Sequence, residues 1–213
     1  MRTATSAFAV LAALTLSALA LAAPPAPTAV TIAAGPPVVV YGANVVVSGN
    51  IVPPQGGERV DVLSQRCGAS AMTRLTSVTT TPTGAWSTTV TPTANTAYQA
   101  RVRKASSATV NVQVRPRIRL VKVAPRRYRA RVFAGQSFAG KVAVFQRYAP
   151  ALGRWFRVRA VVLAAVGTGA EPTVISGATF RSSIRRRVKV RLVLTQRQVG
   201  TCYAPGRSNV VRS

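Results

Sequence analysis

The sequence predicts an all-β protein made of two tandem β-sandwich domains behind an export signal. Three observations support this. Apolar and polar residues alternate in short runs, with no helical 3.6 periodicity of useful length. Gly, Pro, Asn and Ser punctuate those runs in the manner of turns between short strands. The pattern of the first half also recurs, diverged, in the second.

Residues 1–22 read as a secretory signal peptide. Arg2 stands near its start, an uncharged stretch rich in Ala, Leu and Val runs from Ala7 to Ala22, and Ala20-Leu21-Ala22 gives the small-x-small pattern of a cleavage site. The expected cut follows Ala22, since a cut after Ala23 would leave Pro24 directly beyond the scissile bond. An uncleaved anchor needs about 20 apolar residues; this run is shorter and enters a Pro-rich linker at 23–28, and no later run is apolar enough to span a membrane. Residues 207–213 carry no hydrophobic tail or sorting signal, so the mature protein is expected to be secreted and either free or held at the cell wall by noncovalent contacts.

The first sandwich is expected over 29–114, with strands at 29–34, 38–41 continuing through 44–52, 58–66, 73–81, 85–91, 96–104 and 109–114. The second is expected over 115–213, with strands at 117–123, 127–133, 141–148, 155–164, 178–184, 186–195 and 209–212. The halves align at two points. Gly57 to Val62 with Gln65-Arg66 matches Gly140 to Val144 with Gln146-Arg147, and Gly84-Ala85-Trp86-Ser87 matches Gly177-Ala178-Thr179-Phe180. The boundary falls near Arg115-Pro116.

Charge divides the two halves. The chain holds 29 Lys and Arg against 3 Asp and Glu, and no His. Residues 23–114 contribute six basic and two acidic side chains, whereas 115–213 contribute 22 and one. A field of one sign attracts polyanions over a range that salt shortens. For an exported protein the candidates are anionic cell-wall polymer, acidic polysaccharide and DNA bound without sequence preference. The scarcity of Lys beside Arg also fits the residue bias of a GC-rich genome, which accounts for part of the excess without any function.

Tyr41-Gly42 ahead of Val45-Val46-Val47-Ser48-Gly49, then Gly84-Ala85-Trp86, then Pro92-Thr93-Ala94-Asn95-Thr96-Ala97-Tyr98-Gln99-Ala100, resemble the immunoglobulin-like repeats of exported actinobacterial-type proteins. The resemblance covers most of the first half. It reaches the second only as a pattern, because no Pro-x-x-Asn-Thr-x-Tyr element precedes Arg186. Such repeats are similar to fibronectin type III sandwiches, and the resemblance implies use as spacers or adhesive modules. Tyr98, following Asn95-Thr96 at a strand start, is placed where a tyrosine corner would bond its phenol back to the preceding loop; Trp86 is expected in the core.

The residue inventory argues against catalysis and against a metal or other cofactor. Without His there is no imidazole base and no histidine ligand. Glu58 and Asp61, three apart in an expected strand, point to opposite faces and do not form an acid–base pair. Glu171 stands alone in a Gly-rich loop, and all three carboxylates are expected to be isolated surface groups. Cys67 and Cys202 fall in different halves. They can pair with each other across 135 residue steps, stay free, or pair with another molecule.

One arrangement remains. Arg127, Arg129 and Arg131, then Arg157 and Arg159, then Arg185, Arg187, Lys189 and Arg191, alternate with apolar residues, so each expected strand has one apolar and one cationic face. Charges at period two recur about every 6.6 Å, on the scale of successive phosphates in an extended chain. These residues are the candidate polyanion-binding set. Two alternatives accompany it: the cations form solvated faces with no ligand, or they keep the protein soluble while exposed strand edges take up a protein partner by β-augmentation. No helix-turn-helix, zinc finger or RNP-like motif points to sequence-specific nucleic-acid recognition.

Overall fold

The computed structural model describes residues 25–213. The expected signal peptide at 1–22 lies outside the described residues, as do the first two residues of the linker. No helix among the described residues is long and apolar enough to cross a membrane.

The chain is all-β. Its strands are β1 (Ala29–Val30), β2 (Ala33–Gly35), β3 (Val38–Val40), β4 (Val45–Val52), β5 (Arg59–Arg66), β6 (Thr73–Thr79), β7 (Ala85–Val90), β8 (Thr96–Val102), β9 (Ala105–Ser106) and β10 (Val110–Arg115) in the first half. The second half holds β11 (Arg117–Ala124), β12 (Arg127–Ala134), β13 (Val142–Ala149), β14 (Arg154–Val162), β15 (Ala164–Thr168), β16 (Val174–Arg181), β17 (Lys189–Leu194), β18 (Gly206–Arg207) and β19 (Val211–Arg212), with one four-residue helix, α1 (Gln196–Val199), after β17.

In the first half β1 and β2 both pair with β4, which also pairs with β7; the other sheet runs β3-β10-β8-β5-β6, with β3 and β10 parallel. In the second half one sheet runs β11-β12-β16-β15 and the other β14-β13-β17-β18, with β19 also on β17. The wiring repeats. As β4 lies beside β7 and β5 between β6 and β8, so β12 lies beside β16 and β13 between β14 and β17.

Alternation explains the layers. Val45, Val47 and Ile51 of β4, Val60 and Val62 of β5, Trp86 of β7 and Tyr98, Ala100 and Val102 of β8 are all buried. Gly49 lies opposite Trp86 in the β4–β7 pair, and a Cβ there would collide with the carbonyl oxygen of Thr31. In the second half Leu120, Tyr128, Ala130, Val132, Phe145, Val190, Leu192 and Leu194 are inward. Tyr128, Phe145 and Phe180 form an aromatic trio, with ring centroids 5.1 Å, 5.0 Å and 5.7 Å apart.

Several expected strand limits are corrected. The run expected at 155–164 breaks after Val162 and continues as β15, whose five residues are all exposed. The strand expected at 178–184 begins and ends earlier, as β16. The strand expected from 186 starts only at Lys189, because Arg186 and Arg187 form a turn in which Arg187 has φ 66°.

Cys67 and Cys202 are joined as a disulfide with Cα atoms 5.3 Å apart. Hydrogen bonds surround it. Cys67 N–H donates to Asn95 O (2.8 Å), Asn95 N–H to Cys202 O (2.9 Å), and Ala204 N–H to Val114 O (2.9 Å). The Asn95 side chain donates through Nδ2 to Thr201 O (2.9 Å) and accepts Val114 N–H at Oδ1 (2.8 Å). Tyr203 is 1% exposed; its phenol donates to Thr93 O (2.6 Å) and accepts Gly135 N–H (3.0 Å). Tyr98, expected as the corner tyrosine, has its phenol against the Thr96 side chain. Tyr98 is buried, and Tyr203 is the tyrosine that bonds to the 93–95 loop.

Candidate polyanion-binding surface

Period two sends every second residue of a strand outward, so the arginines of β11 and β12 share the outer face of their sheet. Arg117 and Arg119 of β11 join Arg127, Arg129 and Arg131 of β12 there, with Arg119 opposite Arg131 and Val121 opposite Arg129. Arg181 of β16 stands directly opposite Arg127. The Arg117 guanidinium lies 4.5 Å from the Phe133 ring centroid.

The second sheet carries a different surface. Arg191 lies 4.1 Å from the Trp155 ring centroid, and its Nε donates to Gln146 Oε1 at 2.8 Å. Tyr148 packs at 5.3 Å from Trp155, and the Lys189 ammonium sits 5.9 Å from the Tyr148 ring. Arg157 lies opposite Gln146, Arg207 opposite Val193, and Arg212 opposite Lys189. Burial against these neighbours pulls the pKa of Arg191 below the usual arginine value, and the like charge of Arg207 adds to the effect.

The nine candidate residues therefore do not form one row. Arg127, Arg129 and Arg131 occupy one sheet, and Arg157, Lys189 and Arg191 the outer face of the other. Arg159, expected beside Arg157, is turned away from it. A register shift between Phe145 and Gln146 makes Val158 the extra residue of a bulge, so Arg157 faces Gln146 while Arg159 faces the buried Phe145. Arg185 and Arg187, expected in a strand, lie in the exposed turn before β17.

Sequence reasoning missed the aromatic side chains Tyr148 and Trp155 as parts of the surface. Their signal was legible, since Trp155 and Arg157 share a strand face at period two. It also missed Arg126 and Arg181, which line one cleft with Arg159.

Two of the three carboxylates are committed within the first half. Glu58, expected on the surface, is buried, and both its oxygens are bonded by Arg103: Nη2 to Oε1 at 2.6 Å and Nε to Oε2 at 3.0 Å. Gln55 Nε2 adds a bond of 2.8 Å to Oε1. Asp61 accepts from Ser77 Oγ (2.6 Å) and Arg59 Nε (3.2 Å), and Arg101 approaches to 3.9 Å. Among the described residues no ion pair involves a basic side chain beyond Arg103, so the cations of 115–213 have no internal counter-charge at ion-pair distance.

The Ser77 hydroxyl, against an opposing effect of burial and with help from Arg59, lowers the Asp61 pKa from the ordinary carboxyl value. A carboxyl whose folded pKa is depressed contributes stability above its unfolded value, about 3.9, that is lost as pH falls through the folded one. Asp61→Asn should accordingly flatten the acid limb of a stability–pH profile below about pH 4, by under about 1 kcal/mol because the partners are solvent-screened. Urea unfolding of both proteins between pH 2 and 6 checks it; parallel profiles would contradict the assignment.

No protein-family model matches the chain, and no curated protein matches it.

Proposed function

We propose that the chain is an exported, non-catalytic protein of two immunoglobulin-like sandwich units, in which the basic C-terminal half retains the molecule on anionic cell-surface polymer and the N-terminal half serves as a spacer or adhesive module. One observation carries the reading: residues 115–213 carry 22 basic side chains, spread over both outer sheet faces and the turns, with no internal ion pair among the described residues. Such cations are free to exchange their counterions for an external polyanion, and the release of those counterions drives binding.

The test is binding of the mature protein to purified anionic wall polymer and to DNA across a salt series, beside a variant charge-reversed at Arg129, Arg131, Arg157 and Arg191. If one sheet face of about six cations engages a single chain, log affinity should fall with log salt at a slope of about −4, a loss of a few hundredfold between about 50 and 200 mM salt. The variant should bind weakly at every salt concentration. Polymer binding that survives the charge reversal overturns the proposal.

A second reading has its own observation. Edge strand β11 bears Arg117, Arg119 and Lys122, and edge strand β14 bears Arg154, Arg157 and Arg159, whereas edge strand β15, Ala164-Ala165-Val166-Gly167-Thr168, is exposed throughout and uncharged. An edge without charged gatekeepers is open to a strand from a protein partner. Salt-insensitive binding of an envelope protein, abolished by Val166→Lys, would favour this reading over polymer retention.

A further inference from the structure

At one end of the second half, where the β11–β12 turn, β14 and the end of β16 meet, lies a cleft of about 790 Å³ lined by Ala124, Pro125, Arg126 and Arg127 from the turn and the start of β12, Val158, Arg159 and Ala160 from β14, and Arg181, Ser182 and Ser183 at and beyond the end of β16. Four arginines and no carboxylate line it. Arg127 and Arg181 are directly opposite one another on adjacent antiparallel strands, a placement that costs stability for like charges. Arg159 is fixed across the gap: its Nη1 donates to Arg181 O at 2.6 Å, and its guanidinium lies 5.7 Å from the Phe180 ring centroid. The bulge at Val158 puts it there, by turning it inward from the strand face that Arg157 keeps.

Two further features set this cleft apart from the solvated faces. Arg126 has φ 59°, a left-handed conformation that a non-glycine residue adopts at a cost, and its carbonyl accepts Ser182 N–H at 2.8 Å. Ser182 is 7% exposed, and its hydroxyl has no hydrogen-bond partner among the described residues. Unsatisfied buried hydroxyls are uncommon because they forfeit their hydrogen bonds to water.

We propose that this cleft is a binding site for phosphate groups, taken as a short run along an oligophosphate or phosphate-bearing polymer. A carboxylate offers two oxygens, whereas a phosphate offers three or more and a higher charge, which suits a cleft lined by four arginines and no carboxylate. The open volume accommodates more than one such group. The inference deepens the polymer-retention reading and rests on it for the biological source of the ligand, but the site itself is defined by the cleft, which shares Arg127 with the β11–β12 face.

The experiment is calorimetric titration of the full mature chain with tripolyphosphate at fixed moderate salt, with inorganic phosphate and sulfate as separate arms. Wild type should saturate with tripolyphosphate and bind inorganic phosphate at least tenfold more weakly. Arg159→Gln/Arg181→Gln should weaken tripolyphosphate at least tenfold. Arg126→Gln/Arg127→Gln, which leaves the bond between the sheets in place, should weaken it similarly without lowering the thermal midpoint. Arg197→Gln/Arg115→Gln removes the same charge at exposed positions outside the cleft and should change affinity less than threefold.

Equal weakening by all three variants would show a diffuse field and overturn the site, as would an absence of saturable binding or sulfate binding as tight as tripolyphosphate. Those results leave polymer retention to its own salt series. Conversely, polymer that fails to bind at low salt while tripolyphosphate still titrates overturns retention and leaves the cleft standing.

Discussion

Phe145→Ala should cost about 3–5 kcal/mol of folding stability, the range for truncating a fully buried phenylalanine whose surroundings collapse only partly. Phe145 is 0% exposed and holds the centre of the aromatic trio, 5.1 Å from Tyr128 and 5.0 Å from Phe180. Its loss removes contacts from both sheets at once, since Tyr128 and Phe180 belong to one and Phe145 to the other. Urea unfolding monitored by far-UV circular dichroism measures the change, with Val166→Ala, at a position 49% exposed, as a substitution expected to stay within about 0.5 kcal/mol. A loss below about 1 kcal/mol for Phe145→Ala would mean that the two sheets do not pack around this ring. The expected result also bears on function, because Arg157, Arg159 and Arg191 keep their positions only while β13 holds β14 and β17 on either side of it.

Removal of the disulfide, as Cys67→Ala/Cys202→Ala, should cost about 2–5 kcal/mol. The bond closes a loop of 135 residues, and restricting the unfolded chain over that length sets the upper figure, while the lower reflects how often such gains are only partly realised. Comparison of denaturant midpoints for the double variant and the oxidised wild type gives the value. A thiol assay on the oxidised protein under denaturing conditions should find no free cysteine; two titratable thiols would contradict the bond. The surrounding hydrogen bonds through Asn95 and Tyr203 are expected to keep the two halves in contact in the variant, so the loss should appear mainly as weaker overall stability.

Much of the strand pattern was legible because it rests on local alternation. Val45 and Val47, Val60 and Val62, and Leu120 with Tyr128 and Val132 fall on buried faces as period two requires. The errors have identifiable physical sources. Ala164 to Thr168 form a strand because β16 pairs with them, although Ala-Ala-Val-Gly-Thr carries no alternating signal. Arg185 to Arg187 alternate with nothing that packs, and Arg187 turns the chain instead of extending it. Tyr203 drew no reading from the sequence, because the partner that gives it its role, the 93–95 loop, lies more than a hundred positions away in sequence.

The candidate surface was legible in composition but not in arrangement. Six of the nine residues face outward on regular strands, yet they divide between two sheets whose assignment depends on long-range pairing. Arg157 and Arg159 look equivalent in sequence and differ in the fold because of a single extra residue opposite the Phe145–Gln146 step. A strand periodicity cannot register a bulge, since the bulge is defined by the partner strand.

The split of charge between two outward faces limits how one ligand can meet it. A straight, stiff polyanion lying along the β11–β12 face is separated by the whole thickness of the sandwich from Arg157, Lys189 and Arg191, about 10 Å between sheets before side chains are added. At physiological ionic strength that distance already exceeds the screening length of about 8 Å. Such a complex remains a cation on its far side, with a valence left over for a second strand.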